Sequence, residues 1–194
     1  DQINLSINDI STYQTDKYWI AEGSKGLRSI QRKGSNSFEA LNEPIILDGP
    51  YSNSAFDIVC KNDKVYMIIG GKDLLNGKRF DKGGYILTYD YDKWSFIDPK
   101  EAQKKLNLPR NPRDYTSIAV TTDDSNDEIV YASSMGDGVI QYKNGTPVQS
   151  YNEKNAFKET AGGYGSGYCY IDGLAFDKNG NLWMTSSEVN HAVL

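Results

Sequence analysis

Short apolar segments separated by polar turns run along the whole chain, and the stretch from Asp172 to Met184 shows the pattern most clearly. An apolar segment, 174–176, leads into the polar residues 177–181, and a second apolar segment, 182–184, follows. Two short apolar segments joined by a polar tip are typical of a β-hairpin. A two-residue primed turn needs positive φ, which Asn and Gly tolerate, so the pattern predicts such a turn at Asn179-Gly180.

Weaker copies of this hairpin recur three times upstream. The returning strand of each copy carries an aromatic residue, and the four equivalent positions are predicted to be packing anchors between sheets: Trp19, Tyr66, Tyr131 and Trp183. In the first three copies a glycine turn and a further strand follow, and Gly26 and Gly138 lie at the same distance after their anchors. A repeat of this length with three or four short strands is typical of a β-propeller blade. A β-sandwich with regularly spaced turns is the alternative.

We therefore predict an all-β fold of about three and a half propeller blades in one domain. The domain covers residues 1–194, and its blade-like repeats cover about 6–50, 51–114, 115–170 and 171–194, with further turns at Lys33-Gly34 and Asn144-Gly145. Propellers close into rings that leave no long strand edge open. The short fourth repeat is thus expected to be part of a larger ring, its open edges covered by the rest of a parent protein or by a second copy.

One short inserted helix is predicted between the second and third repeats, over residues 98–107. Asp98 is suited to the N-cap, Pro99 to the first helical position and Glu101 to a capping box, and Pro109 is expected to stop the helix. Its basic side chains are predicted to form a solvated face, with an anion- or membrane-binding patch as the alternative: Lys100, Lys104 and Lys105.

Composition narrows the class of protein. The chain has 14 Tyr, 18 Gly and only 3 Met, which favours short strands and tight turns over helices. The formal net charge of -5 argues against nucleic acid as a partner, since a protein surface that binds nucleic acid is basic. No apolar run is long enough for a membrane-spanning helix. Cys60 and Cys169 lie in apolar, strand-like segments and are predicted to be buried thiols outside any disulfide.

Two segments are candidates for ligand binding. The insertion 72–82 brings Arg79 beside Phe80, a combination that suits an anionic or sugar ligand, although a loop without a ligand is the simpler interpretation. The glycine-rich stretch 161–170 carries Tyr164 and Tyr168, whose rings are suited to stacking on sugars or packing on proteins. The alternative there is a crossover between blades with the tyrosines tucked between sheets.

The sequence gives little support for a catalytic site. His191 is the one histidine, and it has no evident nucleophile or orienting acid beside it, so no catalytic residue is predicted. No cofactor fingerprint occurs. The acidic tip 177–181 has oxygen-bearing side chains, but Leu182 stands where a calcium loop needs glycine, so a turn is predicted there. For the acidic tip 123–128 we predict a solvated turn, with weak cation binding as the alternative, and no metal site is predicted.

The fourth repeat also resembles a known family. Residues 173–184, Gly-Leu-Ala-Phe-Asp-Lys-Asn-Gly-Asn-Leu-Trp-Met, are similar to the two-component-regulator propeller repeat found in Bacteroidetes sensor proteins. Residues 42–54, with a Gly-Pro followed by Ser-Asn, together with Gly70-Gly71 and the loop that carries Arg79 and Gly84, resemble the N-terminal propeller of the PorZ-like proteins of type IX secretion. The sequence departs from that pattern at Leu47-Asp48.

The resemblance implies a non-enzymatic propeller scaffold in the periplasm or at the outer-membrane cell surface. Such a scaffold is expected to bind a protein partner of the secretion complex, or polysaccharide such as lipopolysaccharide. The periplasmic, oligosaccharide-sensing propeller of a hybrid two-component system is the second hypothesis. A propeller lyase or lactonase is the third, and it would need histidine or metal ligands in a central channel.

Overall fold

A computed structural model describes residues 9–22, 26–45, 48–52, 54–90, 93–157, 159 and 167–187. Within these ranges the chain forms strands joined by turns, with a single helix. In chain order the elements are β1 (Asp9–Gln14), β2 (Lys17–Ala21), β3 (Leu27–Gly34), β4 (Ser37–Ala40), β5 (Ala55–Lys61), β6 (Lys64–Ile69), β7 (Ile86–Asp90), β8 (Lys93–Ile97), α1 (Pro99–Leu106), β9 (Tyr115–Thr122), β10 (Glu128–Gly136), β11 (Gly138–Lys143), β12 (Thr146–Tyr151), β13 (Cys169–Phe176) and β14 (Leu182–Ser186).

The strands form antiparallel meanders, and the predicted all-β, propeller-like fold is confirmed. Strands β1 to β4 make one four-stranded sheet, and β5 to β8 make another. Strands β9 to β12 form a third meander, and the end of β10 also pairs with β13, so the β13–β14 hairpin continues that sheet. Strand β9 packs between β5 and β13, which places the first strands of three successive repeats side by side. That order is expected for propeller blades.

The chain divides into two compact units, Asp1–Gly49 and Pro50–Leu194. The first unit holds β1 to β4, and its best-buried side chains are Ile20 and Ile30. Inside it the Glu22 carboxylate accepts from Arg28 Nε at 2.7 Å. The second unit holds the remaining elements. The assignment of residues 1–194 to one domain stays a prediction.

The core of the second unit lies between the β5–β8 sheet and the β9–β12 meander. Alternate residues of β6, β7, β9, β10 and β11 point into it, because successive side chains of a strand face opposite sides of the sheet. The buried members are Tyr66, Ile68, Ile86, Ala102, Tyr115, Ile118, Val120, Val130, Ala132, Ile140 and Tyr142. This core fixes how these two sheets stack.

Hydrogen bonds from small polar side chains join the first strands of neighbouring repeats. The Asp57 carboxylate on β5 accepts from Ser117 Oγ and from the backbone N–H of Ile118, each at 3.0 Å. On the other side of β9, the Thr116 hydroxyl donates to the Ile171 carbonyl at 2.8 Å. The Ser133 hydroxyl of β10 donates to the Asp172 carbonyl, also at 2.8 Å. Buried hydroxyls thus find backbone partners across the sheet boundaries.

The predicted helix forms, and with its two caps it covers the predicted residues 98–107. The Asp98 side chain accepts from the backbone N–H of Lys100 at 2.9 Å, and Pro99 occupies the first turn. Asn107 adopts a left-handed conformation with φ of 52°, so it ends the helix before Pro109 is reached. Ala102 is fully buried, and the three lysines of the helix are exposed, as predicted.

The aromatic anchors behave in two ways. Tyr66 is buried and its hydroxyl donates to the Glu128 carboxylate of the next repeat, while the Tyr131 ring lies 6.1 Å from the Phe176 ring of the repeat after that. These two anchors join neighbouring repeats, as predicted. Trp183 does not, because it is 51% exposed and its indole N–H donates to Asp177 in its own hairpin.

Trp19 likewise contacts its own hairpin. Its ring lies 5.8 Å from that of Tyr13, on the neighbouring strand β1. The four anchor positions are therefore equivalent in sequence and not in environment.

A turn forms at Asn179-Gly180, but the predicted type, a two-residue primed turn, is wrong. Gly180 has a φ of +83°, but Asn179 does not have positive φ, so these residues are not the centre of a primed turn. The Asp177 N–H donates to the Asn181 carbonyl at 2.9 Å, and the Asp177 carboxylate accepts from the backbone N–H of Asn179 at 2.8 Å. An Asx-type turn with a left-handed glycine thus replaces the two-residue turn.

The two other predicted turns differ in outcome. Asn144 and Gly145 have φ of 47° and 74°, so a two-residue primed turn forms there as expected. The turn predicted at Lys33-Gly34 lies at Ser35-Asn36 instead, because β3 continues through Gly34.

The two cysteines have opposite environments. Cys169 is 1% exposed, and burial raises the pKa of its thiol to about 12. The prediction that Cys60 is buried is wrong: this residue is exposed. Strand β5 buries only one of its sides, and Ile58 and Cys60 both point to the other side. No disulfide joins the two cysteines, both of which lie in the described part of the chain.

Candidate functional site

The second unit has two unlike ends. At one end the strands are joined by tight turns, at residues 62–63, 123–127, 144–145 and 177–181. At the opposite end the connections are longer, except for the tight one between β10 and β11, and we call this end the long-loop face. Its described residues are 70–85, 98–114, 136–138, 152–157 and 167–168. In antiparallel meanders alternate connections lie at the same end, so residues distant in sequence meet there.

The insertion 72–82 is an ordered part of this face. Its ends are bridged at Lys72 and Arg79, and the Lys72 ammonium is paired with the Asp172 carboxylate of β13. At its tip the Asp73 N–H donates to the Lys78 carbonyl at 2.8 Å. The loop therefore has a defined conformation set by its own hydrogen bonds.

Two of the predicted binding residues come together. The guanidinium carbon of Arg79 lies 5.5 Å from the centre of the Tyr168 ring, and Arg79 Nη1 donates to the Met135 carbonyl at 3.4 Å. Arg79 also pairs with Asp81 at 3.1 Å. A guanidinium within about 6 Å of a tyrosine ring is attracted to the ring face.

The other two predicted residues are not part of this contact. Phe80 is 46% exposed and has the Lys82 ammonium 5.5 Å from its ring centre. Tyr164 lies outside the described residues.

Sequence reasoning missed the arginine closest to Tyr168. The guanidinium carbon of Arg110 lies 4.3 Å from the ring centre of Tyr168, a stacking distance. Asp137 fixes Arg110, because Arg110 Nε donates to Asp137 Oδ1 at 2.6 Å. Asp137 Oδ2 also accepts from the backbone N–H of Arg113 at 3.0 Å. Two arginines thus approach one tyrosine, and a carboxylate orients the nearer of them.

A second carboxylate that was missed, Asp114, holds the base of the insertion. It is fully buried and accepts from the backbone N–H groups of Asp81 at 3.1 Å and Lys82 at 2.9 Å. Burial raises the pKa of the Asp114 carboxyl above its ordinary value, while the hydrogen bond from Lys82 and the charge of Arg79 act in the opposite direction. Asp114 is thereby a positioning residue for the segment that carries Arg79.

An open cleft of about 370 Å³ lies beside Arg79. Its lining combines cations, an amide, a carboxylate and an aromatic ring. The lining residues are Asn76, Gly77, Lys78, Arg79, Asp81, Met135 and Tyr170. Arginine and lysine together suit carboxylate or phosphate groups, and the Asn76 amide suits the hydroxyls of a sugar.

At the tight-turn end, the aspartates of the acidic turns are bound by side chains of the same chain. The Lys143 ammonium lies 2.8 Å from the carboxylates of both Asp123 and Asp127, and this cation lowers the pKa of both carboxyls. The hydrogen bond from the Trp183 indole, together with those from Asn181, holds the pKa of Asp177 well below its ordinary range. Within the described residues, no group of three or more His, Cys, Asp or Glu is placed to hold a metal ion.

His191 lies outside the described residues, so the geometry says nothing about it. Across the part of the chain that the structure describes, no helix has the length and apolar character needed to cross a membrane.

The missed residues have a weak signature in the sequence. In Pro109-Arg-Asn-Pro-Arg-Asp114, each of two arginines directly follows a rigid proline, shortly after the helix. Asp137 stands between Gly136 and Gly138, whose φ values of 141° and 74° form a tight connection between β10 and β11. Charged residues in rigid connections are candidates for function, but the sequence does not show which of them meet.

Comparison with known proteins supports the fold. No protein-family model matches the chain, and no curated protein matches its sequence. Among solved structures the chain is similar to PorZ, an essential bacterial surface component of the type-IX secretion system of Porphyromonas gingivalis, with a TM-score of 0.62 and 23% identity. The match covers 97% of this chain and 24% of PorZ, so the chain spans about a quarter of the length of that protein.

More distant matches include the N-terminal domain of Nup159 and the extracellular domain of a hybrid two-component system from B. thetaiotaomicron. The first has a TM-score of 0.37 and 10% identity, and covers 97% of this chain and 55% of that domain. The second has a TM-score of 0.35 and 12% identity, and covers 96% of this chain and 27% of its match. At 23% identity, the match to PorZ identifies a shared propeller-like, all-β fold.

Proposed function

We infer that this chain is a non-enzymatic, extracytoplasmic β-propeller scaffold that takes part in type IX protein secretion at the periplasmic or outer-membrane surface. The fold similarity to PorZ supports the assignment to secretion, together with the sequence features of residues 42–54 and 70–84. The ligand that we assign to the scaffold is an anionic polysaccharide, of which lipopolysaccharide is the expected example.

The cleft beside Arg79 carries this proposal. Lys78 is exposed at the cleft, and Arg79 is held toward it by the contacts of its guanidinium with Met135 and Asp81. A pre-positioned guanidinium binds carboxylate or phosphate with little loss of side-chain entropy. Tyr170 borders the same cleft, but it is only 2% exposed, so the charged and amide side chains are the groups that contact the ligand.

The test is a binding titration of the chain with three carbohydrates: lipopolysaccharide, an acidic polysaccharide and neutral dextran. We expect binding to the two anionic ligands and none to dextran, with affinity falling as salt is added. Arg79→Ala should weaken binding about tenfold, which corresponds to about 1.4 kcal/mol, the size of one charge-assisted hydrogen bond. Lys104→Ala, which removes an exposed cation from the inserted helix, is the matched control and should bind like the parent chain.

Three results would contradict the proposal. Equal binding of dextran and the anionic ligands would show that charge is not recognised. An Arg79→Ala variant that binds as tightly as the Lys104→Ala control would remove the cleft from consideration. Conversion of a polysaccharide to shorter products by the purified chain would overturn the non-enzymatic assignment.

A further inference from the structure

The tip of the insertion exposes two leucines. Leu74 is 80% exposed and Leu75 is 98% exposed, whereas the other exposed large hydrophobic side chains of the described residues reach at most 58%, at Ile58. Single exposed apolar residues are common on protein surfaces. Two consecutive leucines, almost completely in water at the end of a projecting loop, are not.

The tip that carries the two exposed leucines is ordered by its own hydrogen bonds. The Asp73 side chain accepts from the backbone N–H of Leu75 and from the Asn76 amide, each at 2.8 Å, and the Gly77 N–H donates to the Asp73 carbonyl at 2.7 Å. The Lys78 N–H donates to Asn76 Oδ1 at 2.8 Å. The tip therefore holds its leucines outward before it meets any partner, which reduces the entropy lost on binding.

The charges around the tip are mainly positive. The segment 72–82 carries four basic and two acidic residues, although the chain as a whole has a net charge of -5. Lys72 is paired with Asp172, and Arg79 with Asp81. Lys78 and Lys82 are exposed, and neither forms an ion pair with a residue that the structure describes.

We propose that the Leu74-Leu75 tip docks this protein on an anionic phospholipid bilayer, with the leucines at the boundary between headgroups and acyl chains and Lys78 and Lys82 at the headgroup level. An apolar end beside basic side chains is the arrangement by which peripheral segments bind such surfaces. A protein partner fits less well, because a standard interface buries about 800 Å² on each side. Two leucine side chains supply only a small part of that area, whereas a bilayer accepts an apolar tip of any size.

The two cysteines allow the tip to be observed directly. Cys169 is buried, and the raised pKa of its thiol makes it unreactive toward maleimides, whereas Cys60 is exposed on β5, outside the insertion. A Leu75→Cys variant in a Cys60→Ser background is therefore labelled only at the tip with an environment-sensitive dye. The parent chain, labelled at Cys60, is the matched control.

The labelled proteins are mixed with vesicles of phosphatidylcholine, with and without anionic phosphatidylglycerol. We expect a blue shift of the dye at position 75 with the anionic vesicles, a weaker one with phosphatidylcholine alone, and none from the dye at Cys60. In sedimentation with anionic vesicles, the unlabelled Leu74→Ser/Leu75→Ser variant should bind about tenfold or more weakly than the parent. Ile58→Ser, at an exposed position on β5, should bind like the parent.

A dye at position 75 that stays unshifted while the labelled protein sediments with the anionic vesicles would overturn the proposal. So would binding of the Leu74→Ser/Leu75→Ser variant equal to that of the parent, or a loss in Ile58→Ser as large as that of the tip variant. A Lys78→Ser/Lys82→Ser variant that keeps its preference for phosphatidylglycerol would remove the role of the lysines. The vesicles contain no saccharide, so this inference and the proposed polysaccharide ligand fail independently.

Discussion

A pair of buried tyrosines beneath the long-loop face gives the sharpest test of the packing. Tyr115 begins β9 and Tyr142 lies on β11; both are fully buried, and their hydroxyl oxygens are 2.6 Å apart. The Tyr115 ring also lies against Gly84, where an added Cβ would approach the ring to 2.9 Å. The perturbation is a double-mutant cycle of Tyr115→Phe and Tyr142→Phe, which removes the hydroxyls and keeps the rings.

The magnitude follows from what each change leaves behind. Either single variant leaves one hydroxyl buried, and among the described residues it then has no other hydrogen-bond partner. An unsatisfied buried polar group costs about 1–3 kcal/mol. The double variant leaves no such group, and replacing both partners by apolar groups of the same shape is nearly neutral. Each single variant should therefore lose about 1–3 kcal/mol of unfolding free energy, and the double variant less than about 1 kcal/mol.

The assay is equilibrium unfolding in urea, with the m value checked for each variant so that the changes can be read as stability. Tyr13→Phe removes an exposed hydroxyl and is the control, expected to lie within about 0.5 kcal/mol of the parent. If the effects of the two single variants simply add in the double variant, the hydroxyls do not depend on each other, and the reasoning is refuted.

Three further predictions follow from the structure. Gly71→Ala should lower the free energy of unfolding in urea by about 2–4 kcal/mol, because φ of Gly71 is +86° and the new Cβ would lie 2.0 Å from the Phe56 ring. An added Cβ at Gly49 meets open space, so Gly49→Ala is the control, and equal losses in the two variants would contradict the packing around Gly71. Burial raises the pKa of Tyr66 and Tyr142, so their contribution to stability is complete below the ordinary tyrosine pKa of about 10 and is lost as the pH rises through the higher pKa values of the folded state. A free energy of unfolding that does not change with pH up to strongly alkaline conditions would count against this. The pKa of Asp177 is lowered, so its contribution to stability is present above the ordinary aspartate pKa of about 4 and is lost as the pH falls further. The difference in melting temperature between the parent and Asp177→Asn should therefore shrink on acidification, and a constant difference would contradict the lowered pKa.

Local chemistry made the helix and the order of the strands predictable. Asp98 and Pro99 determine the start of α1 through one hydrogen bond and one fixed φ, both of which depend only on neighbouring residues. The meanders are predictable for the same reason, since each strand pairs with the next along the chain.

Burial at strand edges was harder to predict. The apolar run Ile58-Val59-Cys60 is typical of a strand that is covered on both sides. Strand β5 is an edge strand, however, and only the side that carries Val59 is covered by other elements. Burial of the other side depends on which elements face it, and this is a property of the tertiary structure.

The candidate site was only half predictable for a related reason. Arg79 and Tyr168 were chosen for their side-chain chemistry, but they are 89 positions apart, and their contact depends on how the loops of two repeats meet. Arg110 and Asp137 lie 27 positions apart and form an ion pair through the same convergence. No local pattern encodes such a pair, because the residues become neighbours only after the sheets have stacked.

The two ends of the second unit use carboxylates for different purposes. At the tight-turn end, Asp123 and Asp127 pair with Lys143 of the same meander, and Asp177 closes its own turn, so these charges are satisfied within single repeats. At the long-loop face, Asp114 and Asp137 bind backbone and arginine from other segments, and the arginines remain partly exposed. A carboxylate that is satisfied locally stabilises a turn, whereas one that orients a cation at the surface prepares that cation for a ligand. This difference, and not the number of charges, is why we place binding at the long-loop face.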